Sequence, residues 1–587
     1  MEAALLHDLP LFEVGGVIAI AVIVAVAAFS RRLGIAAPIL LVVVGVLLSY
    51  VPGIPEFEVP PEFVLDVLLP PILYAAAIRL SFVDFRRNLG TIVSLSVVLV
   101  VVTAFGTGFA LFAVLPALKL PAGIALGAVL SPPDAVAATS VGRRLGLPPR
   151  ILVVLEGEGL VNDATALVLF GSALAIATGT QESGPVESFV FAVVIAVVIG
   201  LIVGFVTVRV RSRLDDPVLA TAISIAVPFL AFAPTALVGA SGVLAVVVAG
   251  LYTGYANPGS FSVVTRTSDR INWSTIQFLL ENAVFLLIGL QIRSLVEEVV
   301  DPPPNTESLS LEATIAIGLL TTALLILVRF LWVGPLVLLL RFREHRAEAR
   351  TLEALLFLQQ RLRVPSRGPL RRQITLLRRR YARRRADLEQ LRSQTMDWRS
   401  GVVLGWSGMR GVVTLAAAQS IPDTIPYRPQ LILIAFTVAV VSLLLQGATL
   451  PVLIRTLRIS GGDEVADQRQ LASLLDELSY HGLSVLDDPG TVVEGAADVD
   501  PEVIERVRQA SYLRAEAAWE RGHSADLPLE ATPHLLFRRL RLAVVEAERE
   551  HLLELRRQGT YPPRIEDRAQ ALLDLEETRL RPSAADH

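Results

Sequence analysis

The chain has 587 residues, 53% of them hydrophobic, and its 52 basic and 56 acidic side chains leave a formal net charge of −4. A mean hydropathy of +0.59, with bilayer-length apolar runs recurring from residue 14 to residue 455, excludes an ordinary soluble domain. Cysteine is absent, which excludes disulfides and thiolate metal sites and leaves the redox compartment unconstrained.

The first apolar run does not read as a cleaved signal, because its basic pair, Arg31 and Arg32, follows the apolar core instead of preceding it. It reads as the first of about thirteen membrane spans, placed at roughly 14–30, 35–51, 62–78, 89–115, 121–141, 151–179, 187–208, 217–236, 239–256, 273–292, 311–340, 400–420 and 430–455. Loops after odd-numbered spans are rich in arginine, as with Arg143, Arg144 and Arg150, whereas those after even-numbered spans, such as PGIPEFEVPPE, are poor in it. Cytoplasmic loops carry the positive excess, so the N-terminus is expected outside and the C-terminus in the cytoplasm of a plasma-membrane protein.

Within the fifth span, Ser131-Pro132-Pro133-Asp134 should break the helix, since consecutive prolines remove two donors and disfavour helix in the residue before each. The twelfth span, with Gly405, Gly408 and Gly411 around Arg410, is a second interrupted segment. Paired interruptions of this kind point to an inverted-repeat transport site with exposed carbonyls and helix N-termini. Arg410 is expected either to neutralise the two facing helix C-termini or to pair with Asp134.

The sixth span reads EGEGLVNDATALVLF over residues 156–170. An ionisable group at bilayer depth costs ~2.5–3.5 kcal/mol, so three acids persist there only by pairing or by carrying substrate. Glu156 and Asp163 differ by about 20° around the helix, whereas Glu158 diverges from Asp163 by about 140° and shares a face with Asn162. One side thus presents an acid path with Glu156 at its access end, and another a structural acid. At about 1.5 Å per residue, Asp163 and Asp134 lie about 18 and 20 Å deep, and Glu158 lies close enough in depth to Arg329 of the eleventh span to pair with it.

Taken together, LPPILYAAA (68–76), SPPDAVAAT (131–139), EGEGLVNDATALVLF, ASGVLAVVVAGLYTG (240–254), ENAVFLLIGL (281–290) and GMRG (408–411) resemble the monovalent cation/proton antiporter family, in its Asn-Asp branch of NhaP-like antiporters and sodium/proton exchangers. The resemblance covers residues 10 to 456. It implies a homodimer of thirteen-helix protomers, each with a dimerisation domain and a six-helix core that shifts like an elevator. It also implies electroneutral exchange of sodium or lithium for protons, with potassium as the alternative cation and no cofactor. Cation and proton would compete for Asp163, with Asn162 orienting the site, Asp134 contributing from the broken span, and Glu158, Arg329 and Arg410 forming the buried ion-pair group. One departure concerns Pro133, where many members have a threonine whose hydroxyl helps hold the ion. Ser131, Thr165 or a water is expected to substitute, with Ser131 joining Asp163 and Asp134 as a sodium ligand.

The transmembrane domain is expected over 1–456. Its Arg-rich connection at 341–399 would form amphipathic helices at the cytoplasmic face or serve as positive-inside filler. No aromatic stacking pattern accompanies the arginines, so RNA binding is set aside. Residues 457–587 have soluble composition, with helical periodicity at 464–480, 501–521, 532–557 and 564–580, and read as a cytoplasmic regulatory tail. Its scattered histidines do not suggest a metal site. The reading of another class is a transport-inactive membrane sensor acting through this tail, against which the intact Asn162 and Asp163 argue.

Overall fold

The computed structural model describes residues 2–33, 36–52, 60–179, 184–214, 216–301, 307–363 and 396–459, with parts of the remainder, among them 502–509 and 533–558. It divides into two units, Met1–Ser460 and Gly461–His587. The described elements are helical. In the first unit they are α1 (Glu2–Leu33), α2 (Ala37–Ser49), α3 (Leu69–Arg79), α4 (Phe82–Val114), α5 (Leu120–Leu130), α6 (Ala135–Arg144), α7 (Pro149–Thr178) and α8 (Pro185–Arg211). Then follow α9 (Pro217–Leu237), α10 (Gly242–Ser260), α11 (Val263–Leu290), α12 (Ile292–Val300), α13 (Leu311–Arg363), α14 (Trp398–Trp406), α15 (Val412–Gln419) and α16 (Arg428–Leu457). The expected spans lie on helical segments, the third on α3 and the helical turn Phe63–Leu68 before it. Among the described residues, six helices are long and apolar enough to cross a membrane by length and composition.

Two groups of helices pack internally. α1, α2, α3 and α8 to α11 form one, and α4 to α7 with α13 to α16 form the other. Close approach depends on small residues. A Cβ on Gly45 of α2 would lie 2.5 Å from the Leu286 carbonyl and 2.8 Å from the Gly289 Cα of α11, so the two backbones touch in the small-residue manner of membrane helices, where apolar association adds little and van der Waals contact decides.

The eleventh span is expected over 311–340, with amphipathic helices in the Arg-rich connection beyond it, and α13 runs through both as far as Arg363, taking in the LEALLFLQQRLR segment. No glycine or proline interrupts 341–363, the segment is rich in Arg, Glu, Ala and Leu, which are good helix formers, and Glu344 on it is held by Arg150 at 2.5 Å. The rest of the Arg-rich connection, 364–395, lies outside the described residues. In the second unit α17 (Pro533–Gln558) carries Arg541, which pairs with Glu576 at 2.7 Å. Most residues of the expected tail helices at 464–480, 501–521 and 564–580 lie outside the described residues.

Candidate functional site

The double proline ends α5, and the chain runs extended through Asp134, which caps α6 by accepting from the Val136 amide at 2.8 Å through Oδ1. A matching interruption at residues 407–411 separates α14 from α15. The two interruptions cross. The Asp134 amide donates to the Met409 carbonyl at 2.6 Å, and a Cβ on Gly411 would overlap the Asp134 carboxylate. Helix ends leave carbonyls and amides without intrahelical partners, and the crossing gathers two C-termini and two N-termini inside the protein.

Arg410 supplies donors to the C-terminal ends. Its Nε donates to the Leu130 carbonyl of α5 at 2.8 Å and its Nη1 to the Gly408 carbonyl, while its own amide donates to Ser442 Oγ at 3.0 Å. The expected place of Arg410 in the ion-pair group is therefore corrected. Among the described residues it makes no salt bridge, because its guanidinium is committed to carbonyls that a helix dipole makes partly negative.

Arg329 does form the pair. Nη1 and Nη2 donate to the two oxygens of Glu158 at 2.6 and 3.0 Å, and Nε donates to the Leu404 carbonyl in the last turn of α14 at 3.0 Å. Both side chains are buried, 3% and 1% exposed, and the parallel two-bond geometry is the strong form of such a pair. Asn162, also buried, donates from Nδ2 to the Pro133 carbonyl at 3.0 Å. The α7 face bearing Glu158 and Asn162 thus holds the crossing in place.

The other face of α7 lines a cavity of about 530 Å³. Glu156, Gly159, Leu160 and Asp163 line it from α7, Pro133 and Asp134 from the break, and Gly411 and Thr414 from the second break and α15. Its exposed end carries Arg79, Arg143 and Glu156, the last two in contact as an ion pair. Asp163 and Asp134 share this cavity, as does Glu156 toward its access end.

Ser131 stands outside it. Its hydroxyl donates to the Gly127 carbonyl at 2.6 Å and it is absent from the lining, so its expected role as a sodium ligand is corrected. Thr165 likewise turns back to Val161 at 3.1 Å. The hydroxyl side chains that do line the cavity are Thr139, Ser140 and Thr414, which sequence reasoning did not single out. Thr414 had a signal, since it lies in the first turn after the second interruption. Glu281 and Gln277 of α11 also line the cavity. Glu281 carried the same signal as the sixth-span acids, a carboxylate inside an apolar run.

Interrupted helices that cross beside an acid-lined cavity, in a chain of long apolar helices, define a secondary transporter. The family of the sodium/hydrogen exchanger transmembrane domain matches residues 18–456. An uncharacterised Na+/H+ exchanger of Mycobacterium tuberculosis is 30% identical over 96% of this chain and 95% of its own. The Na+/H+ antiporter ApNhaP of Aphanothece halophytica is 28% identical over 74% and 72% respectively. The fold is similar to that of the sodium proton antiporter MjNhaP1 of Methanocaldococcus jannaschii, with a TM-score of 0.55 and 18% identity over 77% of this chain and 99% of that one. The chain belongs to the sodium/hydrogen exchanger family. It is a multi-pass membrane transporter of the cation/proton antiporter type, not an enzyme.

Proposed function

We propose that the protein exchanges cytoplasmic sodium or lithium for external protons, one for one and without net charge movement. The observation that carries the reading is the meeting of Asp163 and Asp134 in one cavity, beside the crossing of two interrupted helices. A carboxylate in a partly dehydrated pocket binds either a proton or a small cation, and exclusion of one by the other couples their movements. Asn162 contributes no charge and positions the break through the Pro133 carbonyl.

In this reading the cavity faces the cytoplasm, because its exposed end carries Arg79 and Arg143 from the last turns of α3 and α6 on the arginine-rich side. The group containing α4 to α7 and α13 to α16 moves as the elevator against the other group, which forms the homodimer contact, and thirteen spans put the N-terminus outside in the plasma membrane. No cofactor takes part. The test is proton flux in proteoliposomes driven by sodium, lithium or potassium. Wild-type protein gives sodium- or lithium-driven flux that Asp163→Asn abolishes while the variant remains folded. Retained flux in Asp163→Asn would remove Asp163 from the mechanism, and a potassium-only response would reassign the cation.

A further inference from the structure

Glu281 has no task in the exchange as described, although it lines the same cavity as Asp163 and Asp134. It comes from α11, in the other helix group, and sits at the head of an apolar turn, where an acid is costly unless it is paired or functional. Gln277, one turn earlier, donates from Nε2 to Glu281 Oε1 at 2.5 Å. That orientation leaves the Gln277 carbonyl oxygen buried without a partner, and the second oxygen of Glu281 accepts no hydrogen bond among the described residues. Arg79 lines the cavity too, yet among the described residues it makes no salt bridge with Glu281. A buried acceptor is ordinarily paired. The hydrogen bond joins the two side chains, so that one acceptor oxygen on each is left without a donor, a pair of ligands of the kind a small cation takes, with only the more distant Arg79 charge facing Glu281.

Resting on the antiport reading, we propose that Glu281 and the Gln277 carbonyl form a staging subsite for the monovalent cation, which holds it on the α11 wall before transfer to Asp163. The cation would shed part of its hydration there against one charged and one neutral oxygen. Two carboxylate walls from separate helix groups would then hand the ion across the boundary at which the groups slide.

Thermal unfolding of the purified full-length protein, in lithium chloride against choline chloride, tests binding without transport. Asp163→Asn should keep a lithium-specific stabilisation, smaller than that of wild type, and adding Glu281→Gln should remove it. In proteoliposomes, Glu281→Gln should raise the half-saturating sodium concentration about tenfold, the loss expected with one charged partner, and by a larger factor than it lowers the maximal rate. Gln277→Leu, which keeps the carboxylate, should move half-saturation in the same direction. Stabilisation absent from Asp163→Asn, or surviving in the double variant, overturns the subsite, as does unchanged half-saturation in both single variants. A wild-type protein without cation-driven flux defeats the antiport reading instead, and the unfolding measurement then still decides whether Glu281 binds the ion.

Discussion

Arg329 reaches from α13 to grip Glu158 of α7 with both terminal nitrogens, at 2.6 and 3.0 Å, and its third nitrogen holds the end of α14. One side chain therefore ties three helices beside the break that ends α14. Removing one partner of a buried pair leaves the other charge unpaired, at a cost of about 3–5 kcal/mol. Arg329→Ala and Glu158→Gln should each lower the melting temperature in detergent. Glu158→Gln should cost less, because the amide oxygen still accepts from Arg329. Wild-type melting in both variants would show that the pair does not hold the core.

A second expectation concerns the crossing itself. Gly411 is extended backbone, so its lack of a side chain is a matter of space, and a Cβ there would overlap the Asp134 carboxylate. Gly411→Ala must displace either Asp134 or the second break, with an overpacking cost of about 1–3 kcal/mol. The expected outcome is a folded protein with reduced exchange and weakened cation affinity. Exchange at the wild-type rate and affinity would mean that Asp134 tolerates displacement and is not a ligand.

How much of this was legible in the sequence differs by feature. The breaks at 131–134 and 407–411 were readable because proline and glycine act locally, through a missing donor and a missing side chain. The two faces of α7 followed from helical period alone. The partner of Arg410 did not, because its choice between the Leu130 and Gly408 carbonyls and Asp134 depends on how two distant breaks cross. The same holds for Ser131, whose hydroxyl turns back to its own helix at Gly127, an option open to any helical serine. Thr414 and Glu281 come to the cavity from helices far along the chain, and only the packing of both helix groups brings them there. The continuity of α13 past residue 340 was not legible, because apolarity bounds the membrane span whereas helix propensity decides where the helix ends.

Selectivity provides a third test. Pro133 offers no hydroxyl, and its carbonyl accepts from Asn162, so the hydroxyl side chains lining the cavity are Thr139, Ser140 and Thr414, of which Thr414 lies at the second break beside Gly411. Thr414→Val keeps shape and removes the oxygen. It should raise half-saturation for sodium more than for potassium, since the smaller ion loses more when a close ligand is replaced by water. Ser131→Ala should change the ratio less, because Ser131 lies outside the lining. A larger effect from Ser131 than from Thr414 would restore the serine as a ligand.

The last prediction concerns charge. Asn162 occupies the position beside Asp163 where a second acid would add a second titrating group, and it is neutral whether or not the ion is bound. If Asp163 alone alternates between a proton and a sodium ion, it carries the same charge on both journeys across the membrane. Glu281, acting as a staging ligand on the other helix group, would not travel with it. Initial sodium-driven proton flux in sealed liposomes should then be unchanged when a potential of either sign is imposed with potassium and valinomycin, and flux should create no potential of its own. A potential-dependent rate beyond leak controls would require another group to change charge with the moving ion. Repeating the measurement in Glu281→Gln and in Glu156→Gln would identify it, since loss of the potential dependence in one of them names the group responsible.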